Sequence, residues 1–282
     1  MALLKNRIDF KILILATNAK PNGDPETGNR PRITYDGHGE MTDVCIKRKI
    51  RNRLLDLGQP VFVQSDDKRA DGFKSLRERA DSVEELKKAE KAKDSETYAK
   101  IACEKWIDVR SFGQVFAFKG GNPISIRGPV TIQTAFTVSP VDTIEDTIAK
   151  SASGVTNETK SSDTIGKKSY IRHGLYVSSG TIFPQLAKKT GFSEEDSALI
   201  HNALLSLFQG DASTARPSGS MEVYQVFWWR HNSGIGQYPP AKVHRTVQVS
   251  PLVEFPSRIE DYKITVENLP GLEPEIGAET MI

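Results

Sequence analysis

Apolar and polar positions alternate near the start of the chain. Ile8, Phe10, Ile12 and Ile14 are separated by single residues. This period of two is typical of a β-strand with one strongly apolar face, and it predicts a strand over residues 8–16.

The pattern then changes to the period of a helix. Thr42 or Asp43 can cap a helix that runs to about Leu57 and is closed by Gly58. Its two sides differ in character, with Ile46, Ile50, Leu54 and Leu57 along one stripe and Lys47, Arg48 and Arg51 projecting away from it.

Further elements follow at irregular intervals. Residues 59–110 are densely charged and helical in propensity, and residues 150–169 are so poor in apolar side chains that they predict a mobile loop or a long exposed hairpin. Ser193 and Asp196 form a capping-box pattern that starts a second helix, predicted to end at Gly210. The remaining predicted strands are 124–138, with its apolar residues on one face, 170–178, 222–230, 243–249 and 262–267.

When residues 59–110 and 150–169 are set aside, the order of the main elements is strand, helix, strand, strand, helix, strand. This order predicts an α+β fold of the ferredoxin-like, split βαβ kind: an antiparallel sheet with two helices on one face and the other face free. RNA-recognition modules share this βαββαβ topology, although the aromatic signatures that stack bases in those modules are absent here.

Composition narrows the class of protein. The 282 residues contain 38 Lys and Arg against 36 Asp and Glu, but 11 of the basic residues fall within 1–53, and 251–282 holds only 2 against 7 acidic ones. This asymmetry indicates a basic face at one end of the molecule and an acidic face at the other. Two cysteines without metal-ligand spacing and no long apolar run predict a cytoplasmic protein without a membrane span.

Catalytic patterns are scarce. The five histidines are scattered, and phosphate-binding loops, nucleophile elbows and zinc-protease motifs are missing, so we expect no cofactor and no metal. Asp24 and Asp36 lie in the loop that follows the first strand. Asp24 could act as a general base or a metal ligand in a nuclease, and this alternative stays open.

That loop, "ATNAKPNGDPETGNRPR" (16–32), is better suited to binding a phosphate backbone. Gly23 and Gly28 permit close approach, while asparagines and the guanidinium groups of Arg30 and Arg32 offer donors. Four more segments carry a cation beside a strand end in a Gly/Ser-rich context: "VRSFGQ" (109–114), Arg127 with Gly128, "GKKSYIRHG" (166–174) and "GDASTARPSG" (210–219). Phosphate contacts of this kind hold a nucleic acid without distinguishing its bases.

These segments, in this order, resemble the Cas-seven (Cas7) family, the repeated backbone subunit of CRISPR interference complexes. The resemblance covers "TNAKPNGDPETGNRPR", "TDVCIKRKIRNRLLDL", "DVRSFGQVF", "RGPVTIQTAFTVSPV", "IRHGLYVSSG" and "FQGDASTARPSGSMEVYQVFWWRHN", and it is strongest toward the type I-C branch.

The resemblance implies a ferredoxin-like palm with a helical finger insertion and a thumb hairpin. By position, residues 1–58 are the first half of the palm, 59–110 the finger, 111–138 palm strands, 139–168 the thumb, and 169–282 the second half of the palm with the C-terminal strands. Subunits of this family stack along a CRISPR RNA as a helical filament, in which each thumb reaches over its neighbour.

The implied function is to bind the guide RNA, without catalysis, and present it for pairing with a target DNA strand. We expect the RNA contacts to come from Asn18, Asn22, Arg30, Arg32, Lys47, Arg48, Arg51, Ser111, Gln114, Arg127, Lys167, Lys168, Arg172 and Arg216. The implied partners are CRISPR RNA, further copies of the chain, and the handle-binding Cas-five-type, large and small subunits of a Cascade complex.

The sequence leaves two other classes of function open. Some type III relatives cleave target RNA with a loop aspartate, which would give Asp24 or Asp36 a catalytic role. The third class is a self-assembling scaffold that binds no nucleic acid.

Overall fold

The computed structural model describes residues 2–117, 123–149 and 165–279. Its helices are α1 (Asp43–Asp56), α2 (Leu76–Asp81), α3 (Glu84–Lys91), α4 (Ser95–Lys105), α5 (Ile107–Phe112), α6 (Pro184–Thr190), α7 (Glu194–Leu205) and α8 (Pro240–Arg245). Its strands are β1 (Ile8–Ala19), β2 (Gly23–Asp24), β3 (Arg30–Pro31), β4 (His38–Met41), β5 (Gly113–Phe116), β6 (Ile124–Arg127), β7 (Val130–Ile132), β8 (Ala135–Pro140), β9 (Thr143–Ala149), β10 (Ile165–Ile182), β11 (Met221–Arg230), β12 (Val247–Pro251), β13 (Tyr262–Val266) and β14 (Glu275–Gly277). Most of the predicted loop or hairpin, residues 150–164, lies outside the described residues.

The central sheet is built around β1, the strand that the alternating pattern predicts. Its strand order is β14-β11-β1-β10-β8-β4, and β7 and β9 pair with other stretches of β10. All of these pairings are antiparallel. With β10 on one side and β11 on the other, β1 is a central strand, and its apolar residues other than Leu15 are buried.

One face of the sheet carries the two main helices. Phe10 and Ile12 of β1 belong to a buried cluster that includes Ile46 and Ile50 of α1 and Ile200 of α7. The predicted apolar stripe of α1 is therefore confirmed as the face that meets the sheet. Burying one such side chain contributes about 1.5–3 kcal/mol, so this layer accounts for much of the driving force of folding.

The opposite face of the sheet is covered, and the prediction that it stays free is wrong. Leu13 of β1 and Trp229 of β11 pack against Val243 of α8, Val247 of β12 and Tyr262 of β13 in a second buried cluster. The elements that cover this face are short, so their periodicity in the sequence is too weak to show that the C-terminal part folds back over the sheet.

A third apolar cluster holds the helices α2 to α5 together with the β5–β6 hairpin. Phe62, Tyr98, Trp106 and Phe116 lie at its centre, and the ring centroids of Phe62 and Trp106 are 4.6 Å apart. We refer to residues 59–116 as the helical unit. The helical propensity of its sequence is confirmed, while its role as a finger stays a prediction.

Several predicted boundaries shift. The strand predicted over 124–138 is three strands: Ile124 and Ile126 of β6 pack on the helical unit, Val130 of β7 lies in the main core, and Phe136 of β8 is 44% exposed. The capping box of Ser193 and Asp196 is present, but α7 ends at Leu205 rather than at Gly210, and β10 is longer than predicted at both ends.

Three loop regions meet at one end of the sheet, which we call the loop end. Here the Thr17 amide donates to the carbonyl of Ser220 at 2.8 Å, the Lys20 amide donates to the carbonyl of Ala215 at 2.8 Å, and Ala19 pairs with Ile171. The long polar loop after β1, the 210–220 loop before β11 and the base of the β9–β10 hairpin are therefore neighbours.

Candidate nucleic-acid interface

The loop after β1 is a compact hairpin. Its short strands pair Gly23 with Pro31 and Asp24 with Arg30, and Gly28 turns the chain with a φ of 68°. A Cβ atom at position 23 would lie 1.8 Å from Oδ1 of Asn29, so the backbone can approach that side chain only because the residue is glycine. The many turn-forming residues of this loop thus produce a fixed shape.

The two asparagines expected to bind RNA have different surroundings. Oδ1 of Asn22 accepts hydrogen bonds from the amide of Thr42 at 3.0 Å and from its hydroxyl at 3.1 Å, which joins the loop to the start of α1. Asn18 is exposed and adopts a positive φ of 50° at the end of β1. Asn22 therefore shapes the loop, while Asn18 presents its amide outward.

The two loop aspartates act as acceptors within the loop. Oδ1 of Asp24 accepts the amide of Glu26 at 3.2 Å and lies 3.7 Å from Nη2 of Arg32. Asp36 accepts the hydroxyl of Thr34 at 2.5 Å, and this hydrogen bond lowers the pKa of its carboxyl group.

The basic side of α1 faces the helical unit more than the solvent. Lys47 pairs with Asp43 at 2.9 Å, one turn away on the same helix. Nη1 of Arg48 donates to the carbonyl of Val63 at 2.6 Å, and Nε of Arg51 donates to the buried carboxylate of Asp108 at 2.9 Å. The side chain of Arg51 is only 12% exposed, so it is enclosed between α1 and the helical unit.

A cluster of cations at the loop end contains two lysines that sequence reasoning missed. Asp211 accepts from Nζ of Lys49 at 2.5 Å and from Nε of Arg216 at 2.7 Å. Lys20, at the end of β1, donates from Nζ to the carbonyl of Asn29 at 2.8 Å. Lys20 comes from a strand end, Lys49 from a helix, and Asp211 and Arg216 from a distant loop. Only the tertiary structure brings these four residues together.

Partial burial and repulsion between like charges both act at this cluster. Desolvation lowers the pKa of Lys20, and the positive charge of Arg216 lowers it further. Since like charges that are held close together repel, an anion placed between them relieves this repulsion. The cluster is thereby suited to a phosphate group.

A second group of cations surrounds the base of the β9–β10 hairpin. Glu145 lies 2.7 Å from Nη2 of Arg30 and accepts from Nζ of Lys167 at 2.7 Å. Both cations are more than half exposed. Beside them is an open cleft of about 460 Å³, lined in part by Ile33 and Ile144. The loop after β1 and the hairpin are thus linked through one carboxylate.

The other expected contacts lie apart from one another. Arg172 on β10 is 64% exposed and pairs with Asp142 at 3.2 Å, and Lys168 lies 5.5 Å from the ring of Tyr170. Arg127 is exposed on β6, and Gln114 on β5 donates to the carbonyl of Val115.

Ser111 is fully buried, so it cannot reach a ligand without rearrangement. The hydrogen bonds and ion pairs seen among the described residues do not connect Ser111, Gln114 or Arg127 to the loop end.

Two further findings concern the described part of the chain as a whole. Within 2–117, 123–149 and 165–279, no three His, Cys, Asp or Glu side chains are grouped so that they could hold a metal ion. Over the same ranges, no helix has the length and apolar character needed to cross a membrane.

The sequence and the fold place this chain in a known family. A family model described as CRISPR-associated protein Cas7 matches residues 6–267, so the chain belongs to that family. A CRISPR-associated protein Cas7 from Haloferax volcanii is 26% identical over 210 residues, which cover 68% of this chain. The match spans 61% of the length of that relative.

Solved structures are similar in fold. A chain of a CRISPR RNA-guided surveillance complex in a pre-nicking state superposes with a TM-score of 0.50 at 13% identity, covering 79% of this chain and 78% of the other. A chain of a second CRISPR RNA-guided surveillance complex gives a TM-score of 0.44 at 14% identity, covering 79% and 68%. The first likeness supports a mixed fold with a large antiparallel sheet and helices.

Proposed function

We propose that this protein is a non-catalytic subunit that binds CRISPR RNA and polymerises along it, forming the backbone of a type I-C Cascade complex. In that role it presents the guide for pairing with a target DNA strand. Base pairing then selects the target, while the protein holds the phosphate backbone.

The observation that carries this proposal is the cation cluster at the loop end. The Lys20 amide donates to the carbonyl of Ala215 at 2.8 Å, which places Lys20 beside the neighbour of Arg216, on a surface that also bears the exposed Asn18. A protein surface that keeps cations close together is stabilised when a polyanion binds. We propose Arg30, Arg32, Lys167, Lys168 and Arg172 as further contacts around the same end.

The strand order supports the finer assignment of a ferredoxin-like palm. With β1, β7–β8, β10 and β11 taken as the four palm strands in chain order, their order in space is fourth, first, third, second, with α1 and α7 as the two helices. That is the arrangement of the split βαβ fold. We propose that 59–110 is the finger, 139–168 the thumb, and 1–58, 111–138 and 169–282 the palm.

The partners follow from this proposal. They are CRISPR RNA, the target DNA strand paired to it, further copies of this chain, and the Cas-five-type, large and small subunits of a Cascade complex. A helical filament requires each copy to offer two different surfaces to its neighbours, and a chain with a basic N-terminal part and an acidic C-terminal part meets that requirement.

The test is the salt dependence of binding to a fluorescent single-stranded CRISPR RNA. Replacing Lys20 and Arg216 together with Ala is expected to weaken binding and to lower the salt slope by about 1.4, since each phosphate contact contributes about 0.7 for single strands. The matched control is the pair Lys188→Ala and Lys189→Ala, which removes two exposed cations from α6 at the opposite end of the sheet. Equal slopes for the two double variants would overturn the assignment of this interface.

A further inference from the structure

We propose that Asp211 is a positioning residue for RNA binding: its carboxylate holds the guanidinium group of Arg216 in the orientation that receives a phosphate. This inference rests on the proposed function and adds an acidic residue to a site otherwise made of cations and amides. Asp211 has the wrong charge for a nucleic-acid contact, so no sequence pattern for RNA binding would select it.

The geometry is that of one oxygen atom shared by two cations. Oδ2 of Asp211 accepts from Nζ of Lys49 and from Nε of Arg216. Lys49 is 5% exposed and lies over the ring of Phe208, with Nζ 5.3 Å from its centroid, so it is an internal group. Arg216 is 26% exposed and stands at the surface.

This contact fixes the plane of the Arg216 guanidinium group. A guanidinium group is planar, and holding it through Nε leaves the two Nη groups available as a fork. Neither Nη atom donates a hydrogen bond within the described residues, whereas the backbone of Arg216 is held by reciprocal hydrogen bonds with Ser213. Backbone and side chain are thus both ordered before a ligand arrives, and the entropy of ordering is not lost on binding.

The buried lysine explains why the carboxylate stays in place. Desolvation lowers the pKa of Lys49, and the charge of Asp211 acts in the opposite direction. Removing Asp211 alone would leave the ammonium group of Lys49 unpaired inside the protein, which is costly. The contact with Lys49 therefore holds the Asp211 carboxylate in place from the side away from the ligand. Arg216 then occupies the side that faces the surface.

Positioning and simple electrostatics predict opposite results. Removing a negative charge beside an RNA site should strengthen binding if only the net charge matters. If Asp211 orients Arg216, removing it should weaken binding even though the site becomes more positive.

The experiment uses the full-length protein and the same fluorescent CRISPR RNA. Lys49→Met removes the internal charge while it keeps the contact between Asp211 and Arg216, so this single variant is the reference with which every Asp211 variant is compared. In that background Asp211→Asn leaves no unpaired lysine and should weaken binding by about tenfold, the scale of one charged hydrogen bond. Asp211→Glu, which keeps a carboxylate, should restore part of the loss.

Coupling to Arg216 separates positioning from general structural damage. In a Lys49→Met, Arg216→Ala background, Asp211→Asn should cause no further loss of affinity, whereas a role in folding alone would reduce affinity with and without Arg216. Thermal unfolding monitored by circular dichroism checks that each variant is folded. Should the Asp211 variants not fold, Arg216→Lys takes their place, because it keeps the charge but not the planar fork and should lose about tenfold.

Three results would overturn the inference. The first is that the Lys49→Met, Asp211→Asn variant binds RNA as tightly as Lys49→Met or more tightly. The second is that Asp211→Asn causes the same loss of affinity with and without Arg216. The third is that Arg216→Lys binds RNA with wild-type affinity. Failure of the wild-type protein to bind any RNA would overturn the proposed function as well, so the two failures are distinguishable.

Discussion

Arg51 of α1 donates through Nε to Oδ2 of Asp108 at 2.9 Å, in the contact between α1 and the helical unit. Asp108 is fully buried, and its carboxylate also accepts the backbone amides of Phe62 at 2.7 Å and Val63 at 3.0 Å. Arg51 is therefore the cation that balances a buried charge. This pair fastens the helical unit to α1, while the two amides hold Asp108 in place within the unit.

Arg51→Ala is expected to lower the free energy of unfolding by about 3–5 kcal/mol, because it leaves the carboxylate of Asp108 buried without its cation. Urea unfolding followed by circular dichroism measures the change. The control is Lys47→Ala on the same helix, which removes an i,i+4 pair with Asp43 and should cost about 0.3–0.5 kcal/mol. A loss for Arg51→Ala as small as that of the control would contradict the structural role.

This result bears on how RNA binding by α1 can be tested. Replacing Lys47, Arg48 and Arg51 together would also remove the counter-charge of Asp108. A weaker RNA complex could then arise from a loosened helical unit. Lys47 can be tested by itself, since its partner Asp43 lies on the same helix.

Glu145 holds two cations, Arg30 and Lys167, and under the proposed function we expect it to compete with RNA for them. The hydrogen bond from Lys167 lowers the pKa of the Glu145 carboxyl group, so the carboxylate is charged at neutral pH. Glu145→Gln should therefore free two exposed cations and tighten RNA binding by about two- to fivefold at low salt, with a steeper salt dependence.

The matched control for Glu145 is Glu84→Gln. Glu84 is an exposed residue of the helical unit that pairs with Lys87 at 2.8 Å, so this change also frees a lysine. A comparable increase in affinity in the control would show that only the net charge of the protein matters. Weaker binding by Glu145→Gln would show instead that the carboxylate orders the cations for the ligand.

The sequence was informative where one local pattern determines the structure. Alternation identified β1, the apolar stripe identified the face of α1 that meets the sheet, and Ser193 with Asp196 identified the start of α7. Each of these signals involves residues close together in the chain. The covered second face escaped prediction because short elements such as α8 carry little periodicity and their position depends on contacts with distant strands.

The same limit applies to the candidate interface. Sequence reasoning selected Arg216 by its Gly/Ser-rich context, but it could not select Lys49 or Asp211, whose roles depend on a contact across 162 residues. It also assigned Arg51 to the RNA, because a helical wheel shows that a side chain leaves the apolar stripe and not what it meets there. The partner of Arg51, Asp108, lies 57 residues away in the chain, so only the tertiary structure shows this pair.

Asp24→Ala tests the alternative of a metal-dependent ribonuclease. Asp24 accepts the Glu26 amide and lies near Arg32, so its loss should loosen the loop and weaken RNA binding by about two- to fivefold, the scale of one ordinary hydrogen bond. The assembled complex with magnesium or manganese, a labelled complementary RNA and no added nuclease measures cleavage. We expect none, and the same for a labelled DNA.

The result that would favour the ribonuclease is specific. Cleavage at regular intervals that disappears in Asp24→Ala or Asp36→Ala would assign a catalytic role to that aspartate. Asp36→Ala also serves as the internal comparison, since Asp36 is exposed and accepts from the hydroxyl of Thr34.

Lys11 makes the stability of the fold depend on pH. Its side chain lies under the second face of the sheet, with the residue 8% exposed, and Nζ donates to the carbonyl of Val247 at 2.7 Å. Desolvation lowers the pKa of Lys11 to about 8 from the ordinary value of 10.5. Between these two values the unfolded chain binds more protons than the folded one, so the contribution of Lys11 to stability rises with pH.

The test compares the wild type with Lys11→Met between pH 7 and pH 10.5. The free energy of unfolding of the wild type, relative to the variant, is expected to increase by about 1–3 kcal/mol over this range. His244 lies beneath the same face, near Asp9, and desolvation lowers its pKa. It therefore titrates below pH 7 and does not contribute to the difference in unfolding free energy over this range. Lys188→Met, at an exposed position, should show no pH-dependent difference. A flat difference for Lys11→Met as well would mean that the ammonium group at position 11 stays hydrated, and that the layer formed by α8, β12 and β13 does not exclude water from the sheet.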